Sequence, residues 1–320
     1  RGPIDEVRRR IARLVADARP DLLHANSLAM GRLSGPVARG LGVSSVSHLR
    51  DILSLSRRAI DDLNCHCRLV AVSQAVRDFY VTAGLDGDRT SVAHNGVDTV
   101  TYAPRQPTRF LHCELGLSPH TPLIASIGQI GLRKGIDLFL DMAHDRSVLA
   151  TGAHFLIVGV RHSRKGESVR LEASLRQVAG EGPLAGRVHF LGYRTDIPAL
   201  LNELTLVVHA ARQEPLGRVL IEAAASGLPI VATDVGGTRE IFPPGTGTAW
   251  LVPKDNRSAM ARGVATLLAD HDRRSMMGAA ARNRAVTAFT VHQAASRLIE
   301  LYAQIASGLP DARNVEPPSC

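Results

Sequence analysis

Two glutamates, Glu214 and Glu222, stand eight positions apart in the run Glu-Pro-Leu-Gly-Arg-Val-Leu-Ile-Glu-Ala-Ala-Ala-Ser-Gly at residues 214–227. Such a pair can act as an acid/base couple or accept hydrogen bonds from ligand hydroxyls. Pro215 suits the first position of a helix, where a missing N–H costs nothing. Val219, Leu220, Ala223 and Ala224 form an apolar stripe at helical spacing, and Gly227 can supply a left-handed stop. The pattern places Glu214 at the mouth of a helix and Glu222 about two turns inside. The unpaired amides of Leu216, Gly217 and Arg218 would project from that mouth as an anion site. Carboxylates beside an anion cradle fit a ligand whose hydroxyls lie next to phosphates.

Three more loops carry residues suited to the same kind of ligand. Gly131-Leu132-Arg133-Lys134-Gly135 follows an apolar stretch and puts a basic pair where a diphosphate could sit. Gly192-Tyr193-Arg194 offers a glycine that lets backbone approach a flat ring, and a tyrosine face. Asp234-Val235-Gly236-Gly237-Thr238 resembles a dinucleotide fingerprint only loosely and lacks its spacing. Asp86-Gly87-Asp88 has the look of a metal clamp, but it falls between a helix and a strand and reads as a turn.

The elements that position these loops follow from short apolar runs. Strands are predicted at 22–25, 43–48, 69–72, 90–93, 123–130, 154–160, 187–191, 205–210, 228–233 and 249–252, alternating with helices. The helices include 4–18, 28–40, 56–63, 74–83 (capped by Ser73), 136–144 and 291–305. Fully apolar strands alternating with helices specify parallel sheets covered on both faces. Ligands on such sheets bind at the carboxyl ends of the strands. Asn95-Gly96-Val97-Asp98 reads as a turn, and residues 99–121 as a connection with a short helix. The terminal helix presents Ala295, Leu298, Ile299 and Tyr302 as a docked face, and 308–320 reads as a mobile tail.

With 320 residues and 45% apolar content, the chain is long enough for two α/β domains. The net charge of +8 is nearly all arginine, since Lys134, Lys165 and Lys254 are the only lysines. Aromatics are 4%, and the basic segment 161–165 has none interleaved, which argues against nucleic acid. An anionic small ligand or a peripheral contact with an anionic membrane accounts for the charge. Cys65, Cys67, Cys113 and Cys320 form no metal pair and read as reduced, buried thiols of a cytoplasmic protein.

In matching order, these segments resemble the retaining nucleotide-sugar glycosyltransferases of family 4 (GT4), which have the GT-B fold. The glutamate pair matches that family's E-x7-E signature. Leu220 to Thr233, Val235-Gly236-Gly237, Ile127-Gly128 with Lys134-Gly135, and Phe190-Leu191-Gly192 also fit. So do Ala71-Val72-Ser73 and Asn95-Gly96-Val97-Asp98. The resemblance spans roughly residues 20 to 305, most specifically in the second half.

The resemblance implies two Rossmann-like domains with parallel sheets facing a cleft. The boundaries would be 1–103 for an acceptor-side domain, 104–288 for a nucleotide-sugar domain and 289–307 for a helix packing back on the first. Residues 4–18 are already a helix, and no opening strand with a Gly-rich turn precedes them, so an incomplete first domain is expected. Glu214 would engage hydroxyls of the donor sugar and Glu222 those of the ribose, while Lys134 neutralises the diphosphate. Gly192 and its neighbours Tyr193 and Arg194 would meet the base, and His48 would face the reacting sugar. The family usually has an arginine where this chain has Gln129, and Arg133 is the candidate to replace it. The implied reaction moves a sugar from a UDP- or GDP-sugar to a hydroxyl of a glycan or lipid-linked acceptor, without metal or cofactor. An epimerase on the same fold, and a chain that binds nucleotide-sugar without turnover, stay open as alternatives.

Overall fold

The computed structural model describes residues 2–307, so the tail 308–320, with Cys320, lies outside the described residues. The chain divides into two compact units, residues 1–95 with 292–320, and residues 96–291.

The first unit is built on a four-stranded parallel sheet. Its strands β1 (Leu23–Ala25), β2 (Ser45–Leu49), β3 (Arg68–Ala71) and β4 (Thr90–Val92) lie side by side in chain order. β2 is buried along its whole length, as a parallel strand with helices on both faces must be. Ser27, Ser56 and Ser73 each cap a helix by accepting from the amides of Met30, Ala59 and Val76. Ser73 is the cap that the sequence predicts.

Helix Leu28–Leu41 lies so close to the sheet that a Cβ on Gly31 would meet Ser47 Oγ at 2.1 Å. Pro36 sits inside this helix and lacks the N–H that would bond the Arg32 carbonyl. Arg8 donates to that carbonyl at 2.9 Å and pairs with Asp62 at 2.7 Å. A guanidinium from a neighbouring helix thus replaces the missing internal bond.

On the opposite face, Leu298, Leu301, Tyr302 and Ile305 of helix Val291–Ala306 pack against Val46, Val70 and Ala93. Of the expected docked face, Leu298 and Tyr302 pack here, whereas Ala295 is exposed and Ile299 is 63% exposed. Both stripes satisfy helical periodicity, and the one with the buried Leu301 faces the sheet.

The second unit holds a six-stranded parallel sheet. Its strands are β5 (Leu123–Ile127), β6 (His154–Val158), β7 (Val188–Gly192), β8 (Leu206–His209), β9 (Ile230–Thr233) and β10 (Trp250–Val252). Their order is β10-β9-β8-β5-β6-β7, so the chain runs outward from β5 to one edge, then returns beside β5 and runs to the other. The switch point lies between β5 and β8, where open sheets of this kind take their ligands. β5 and β6 stop at Ile127 and Val158, short of the expected Ile130 and Val160. Gly128 and Gly159 have φ of 146° and 136°, and a Cβ on Gly159 would meet the Gly128 carbonyl at 2.0 Å.

The junctions fall between Asn95 and Gly96 and between Val291 and His292, not at 103/104 and 288/289. The segment after Gly96 is fastened to the second unit: Val97 bridges Thr290, and Arg282 donates to the Thr99 and Tyr102 carbonyls. Asp86 forms the expected turn, accepting from the amides of Asp88 and Arg89. The thiols are free but not buried, with Cys65 and Cys67 partly exposed and Cys113 exposed. Among the described residues, no helix is long and apolar enough to cross a membrane.

Candidate functional site

Lys134 and Glu214 leave the sheet from β5 and β8, the two strands that flank the switch point. The Leu132–Lys134 segment is a single 3₁₀ turn closed by Gly135 at φ 64°. A Cβ on Gly135 would meet the Ala210 carbonyl at 1.9 Å, so this turn rests directly on the end of β8. Arg212 stitches the two loops together. Its amide donates to the Arg133 carbonyl at 2.8 Å, and its guanidinium reaches the Leu132 carbonyl, Asp137 and Asp255.

Glu214 is 5% exposed, and its backbone is gripped from β9's loop. Gly237 donates to the Glu214 carbonyl at 3.0 Å, and a Cβ on Gly236 would meet that carbonyl at 1.9 Å. Its carboxylate Oε2 accepts from Lys134 Nζ at 2.5 Å and from His209 Nε2 at 2.8 Å. Burial pushes the Glu214 carboxyl up, but the His209 bond and the Lys134 ammonium outweigh it and hold it at about 2. Burial, aided by the Lys134 and Arg133 charges, pushes His209 down against the pull of Glu214. The His209 bond and the Lys134 ammonium thus both favour the ionised carboxylate of Glu214.

The helix after Glu214 begins later than the sequence pattern indicates. It spans Arg218–Ala225 with Gly217 at its start (φ 104°), so Pro215 precedes it instead of opening it. Glu222 then lies one turn inside, paired with Arg218 at 3.4 Å, not two turns inside. Burial pushes the Glu222 carboxyl up, opposed by Arg218. The amides of Leu216, Gly217 and Arg218 make no backbone hydrogen bond among the described residues, as required of an anion cradle. Gly227 has φ 74° and ends the helix as predicted.

Arg133 is half-buried, without an acidic partner among the described residues, and Gln129 is exposed. Gly192 ends β7 at φ 67°, and Tyr193 is 73% exposed. Arg194 is committed to Asp196 at 2.6 Å and Glu114 at 2.8 Å, which occupies the guanidinium the sequence reading offers to a base. His48 belongs to the first unit. It is 5% exposed, its Nε2 has no hydrogen-bond partner among the described residues, and burial, Arg50 and His24 push it down to about 4. Beside it, His24 meets Tyr302 Oη at 2.5 Å.

Sequence reasoning misses His209 and Arg212. His209 closes an apolar strand, where a lone histidine looks like any core residue, and Arg212 is one arginine among many.

The family described as Glycosyl transferases group 1 matches residues 109–284, and Glycosyltransferase Family 4 matches residues 4–101. The chain is 28% identical over 249 residues to an alpha-maltose-1-phosphate synthase of Mycolicibacterium smegmatis, covering 75% of this chain and 63% of that protein. It is 29% identical to a lipopolysaccharide core biosynthesis mannosyltransferase, LpsB, of Rhizobium meliloti, covering 69% and 62%. It thus spans less than two thirds of the length of these relatives. The Anabaena protein HepE, solved with UDP and glucose, superposes with a TM-score of 0.84 at 25% identity, over 94% of this chain and 83% of HepE. Sucrose-phosphate synthase from Thermosynechococcus elongatus shares the fold at TM-score 0.82 and 20% identity, over 95% and 78%. The chain belongs to the family-4 glycosyltransferases of the GT-B fold.

Proposed function

We propose that this chain transfers a sugar from a nucleoside-diphosphate sugar to an acceptor hydroxyl with retention of the anomeric configuration. The observation that carries the reading is the buried Glu214 carboxylate beside Lys134 and the open amides of residues 216–218, at the sheet's switch point. A sugar hydroxyl donates to Glu214, a ribose hydroxyl to Glu222, and the diphosphate meets Lys134, Arg133 and the helix amides. Fixed donors aimed at the departing diphosphate supply the main rate term. The acceptor oxygen bonds the anomeric carbon as the carbon–phosphate oxygen bond breaks, and a phosphate oxygen takes the acceptor's proton. Lys134 and the amides do the charge neutralisation, so the reaction needs no metal. The HepE complexes with UDP support a uridine nucleotide as the first donor to try, and the acceptor is a glycan or lipid-linked hydroxyl.

Glu214→Ala is expected to lower kcat/KM with a UDP-sugar by about a hundredfold or more, leaving the circular dichroism spectrum unchanged. Turnover near the parent rate rules out the assignment. The same assay with EDTA is expected to retain full rate, and loss restored by Mg²⁺ or Mn²⁺ rules out the metal-free reading. Isomerisation of donor without acceptor marks an epimerase instead.

A further inference from the structure

The two oxygens of the Glu214 carboxylate have different surroundings. Oε2 receives both Lys134 and His209, whereas Oε1 has no partner among the described residues. Lys134 stands on a short turn at the end of a long, flexible stem, with its side chain 16% exposed. His209 is fixed: it ends β8, its side chain is 3% exposed, and its carbonyl accepts from Thr233 at 3.3 Å. A diphosphate carries more charge than one carboxylate and competes for the same ammonium.

We propose that Lys134 exchanges Glu214 for the diphosphate when donor binds, and that His209 is the positioning residue that then holds Oε2, keeping Oε1 aimed at the sugar hydroxyl. This rests on the transferase reading above and extends it to a residue that touches no substrate. The charged groups bearing on His209 are Glu214, Lys134 and Arg133. Once Lys134 turns to phosphate, the His209 N–H is the one protein donor left on the buried carboxylate among the described residues. Without it Glu214 loses both its orientation and the bond that favours its ionised form.

The test compares His209→Gln with His209→Leu in the full chain. Glutamine keeps an N–H near the place of Nε2, and leucine removes it. H209Q is expected within about fivefold of the parent kcat, whereas H209L falls about a hundredfold with UDP affinity nearly unchanged by calorimetry. The acid limb of the H209L rate profile is expected to move up by about one pH unit or more. Nitrogen-15 spectra of the parent are expected to show His209 as the neutral Nε2–H tautomer with and without UDP. An unchanged kcat and pH profile in H209L, equal loss in both variants, or a charged His209 at neutral pH overturns the proposal. The spectra and the UDP titration are read without turnover. A parent chain that fails to transfer sugar therefore overturns the transferase reading separately from the tautomer at His209.

Discussion

At the level of single residues, the site is a competition for a few charges. Lys134 and Glu214 neutralise each other at 2.5 Å, which leaves Arg133 as the basic side chain of that turn without an acidic partner among the described residues. We propose that Arg133 supplies the charge expected where Gln129 stands. Arg133→Ala is expected to raise KM for a UDP-sugar about tenfold, or about 1.4 kcal/mol, and Gln129→Arg in that background to recover part of it. Steady-state kinetics decide, and an R133A KM equal to the parent's removes Arg133 from the site. Glu214, Lys134 and the glycine-rich turns are legible in the sequence because their types and spacing are unusual. His209 is not, because what distinguishes it is the oxygen it touches, and that contact depends on how β8 and its loop fold.

At the level of elements, every predicted strand forms, since short apolar runs flanked by polar loops have little alternative in a doubly covered sheet. The errors sit at ends and faces. β5 and β6 stop early at glycines with left-handed φ, and the helix after Glu214 waits for Gly217. Those endings are set by backbone packing between loops distant in sequence, such as Gly159 against Gly128, which local pattern does not record. The terminal helix shows the same limit, with two stripes periodic and only tertiary contact choosing. The Pro36 helix makes an element-scale prediction. Arg8→Ala removes both the donor to the Arg32 carbonyl and the Asp62 partner, in a pair whose side chains are 17% and 14% exposed. A loss of about 1–3 kcal/mol is expected by urea unfolding, and an unchanged midpoint contradicts the bridging role.

At the scale of the whole molecule, buried histidines add to the acid sensitivity that depressed carboxylates such as Glu214 also confer. Burial first of all pushes His24, His48, His66, His154, His189 and His209 below their ordinary value. Each is held neutral in the folded chain, so the unfolded chain binds more protons between the ordinary and the folded value. The stability they contribute is complete above about pH 6.5 and is lost as pH falls, for His48 down to about 4. His48 alone accounts for on the order of 2–3 kcal/mol over that window. Denaturant midpoints are expected to fall across it, with a shallower slope in His48→Gln. An equal slope in both proteins shows that His48 does not titrate as described.

The close approaches of Gly135 and Gly236 bear on how donor preference can be altered. At both positions a peptide carbonyl, of Ala210 or of Glu214, occupies the space a side chain would need. Any library that varies them explores chains whose loops cannot seat, not chains with new selectivity. Gln129 and Tyr193, both exposed, and the half-buried Arg133 are the positions we propose for variation instead. Protein engineers should hold the two glycines constant and randomise those three.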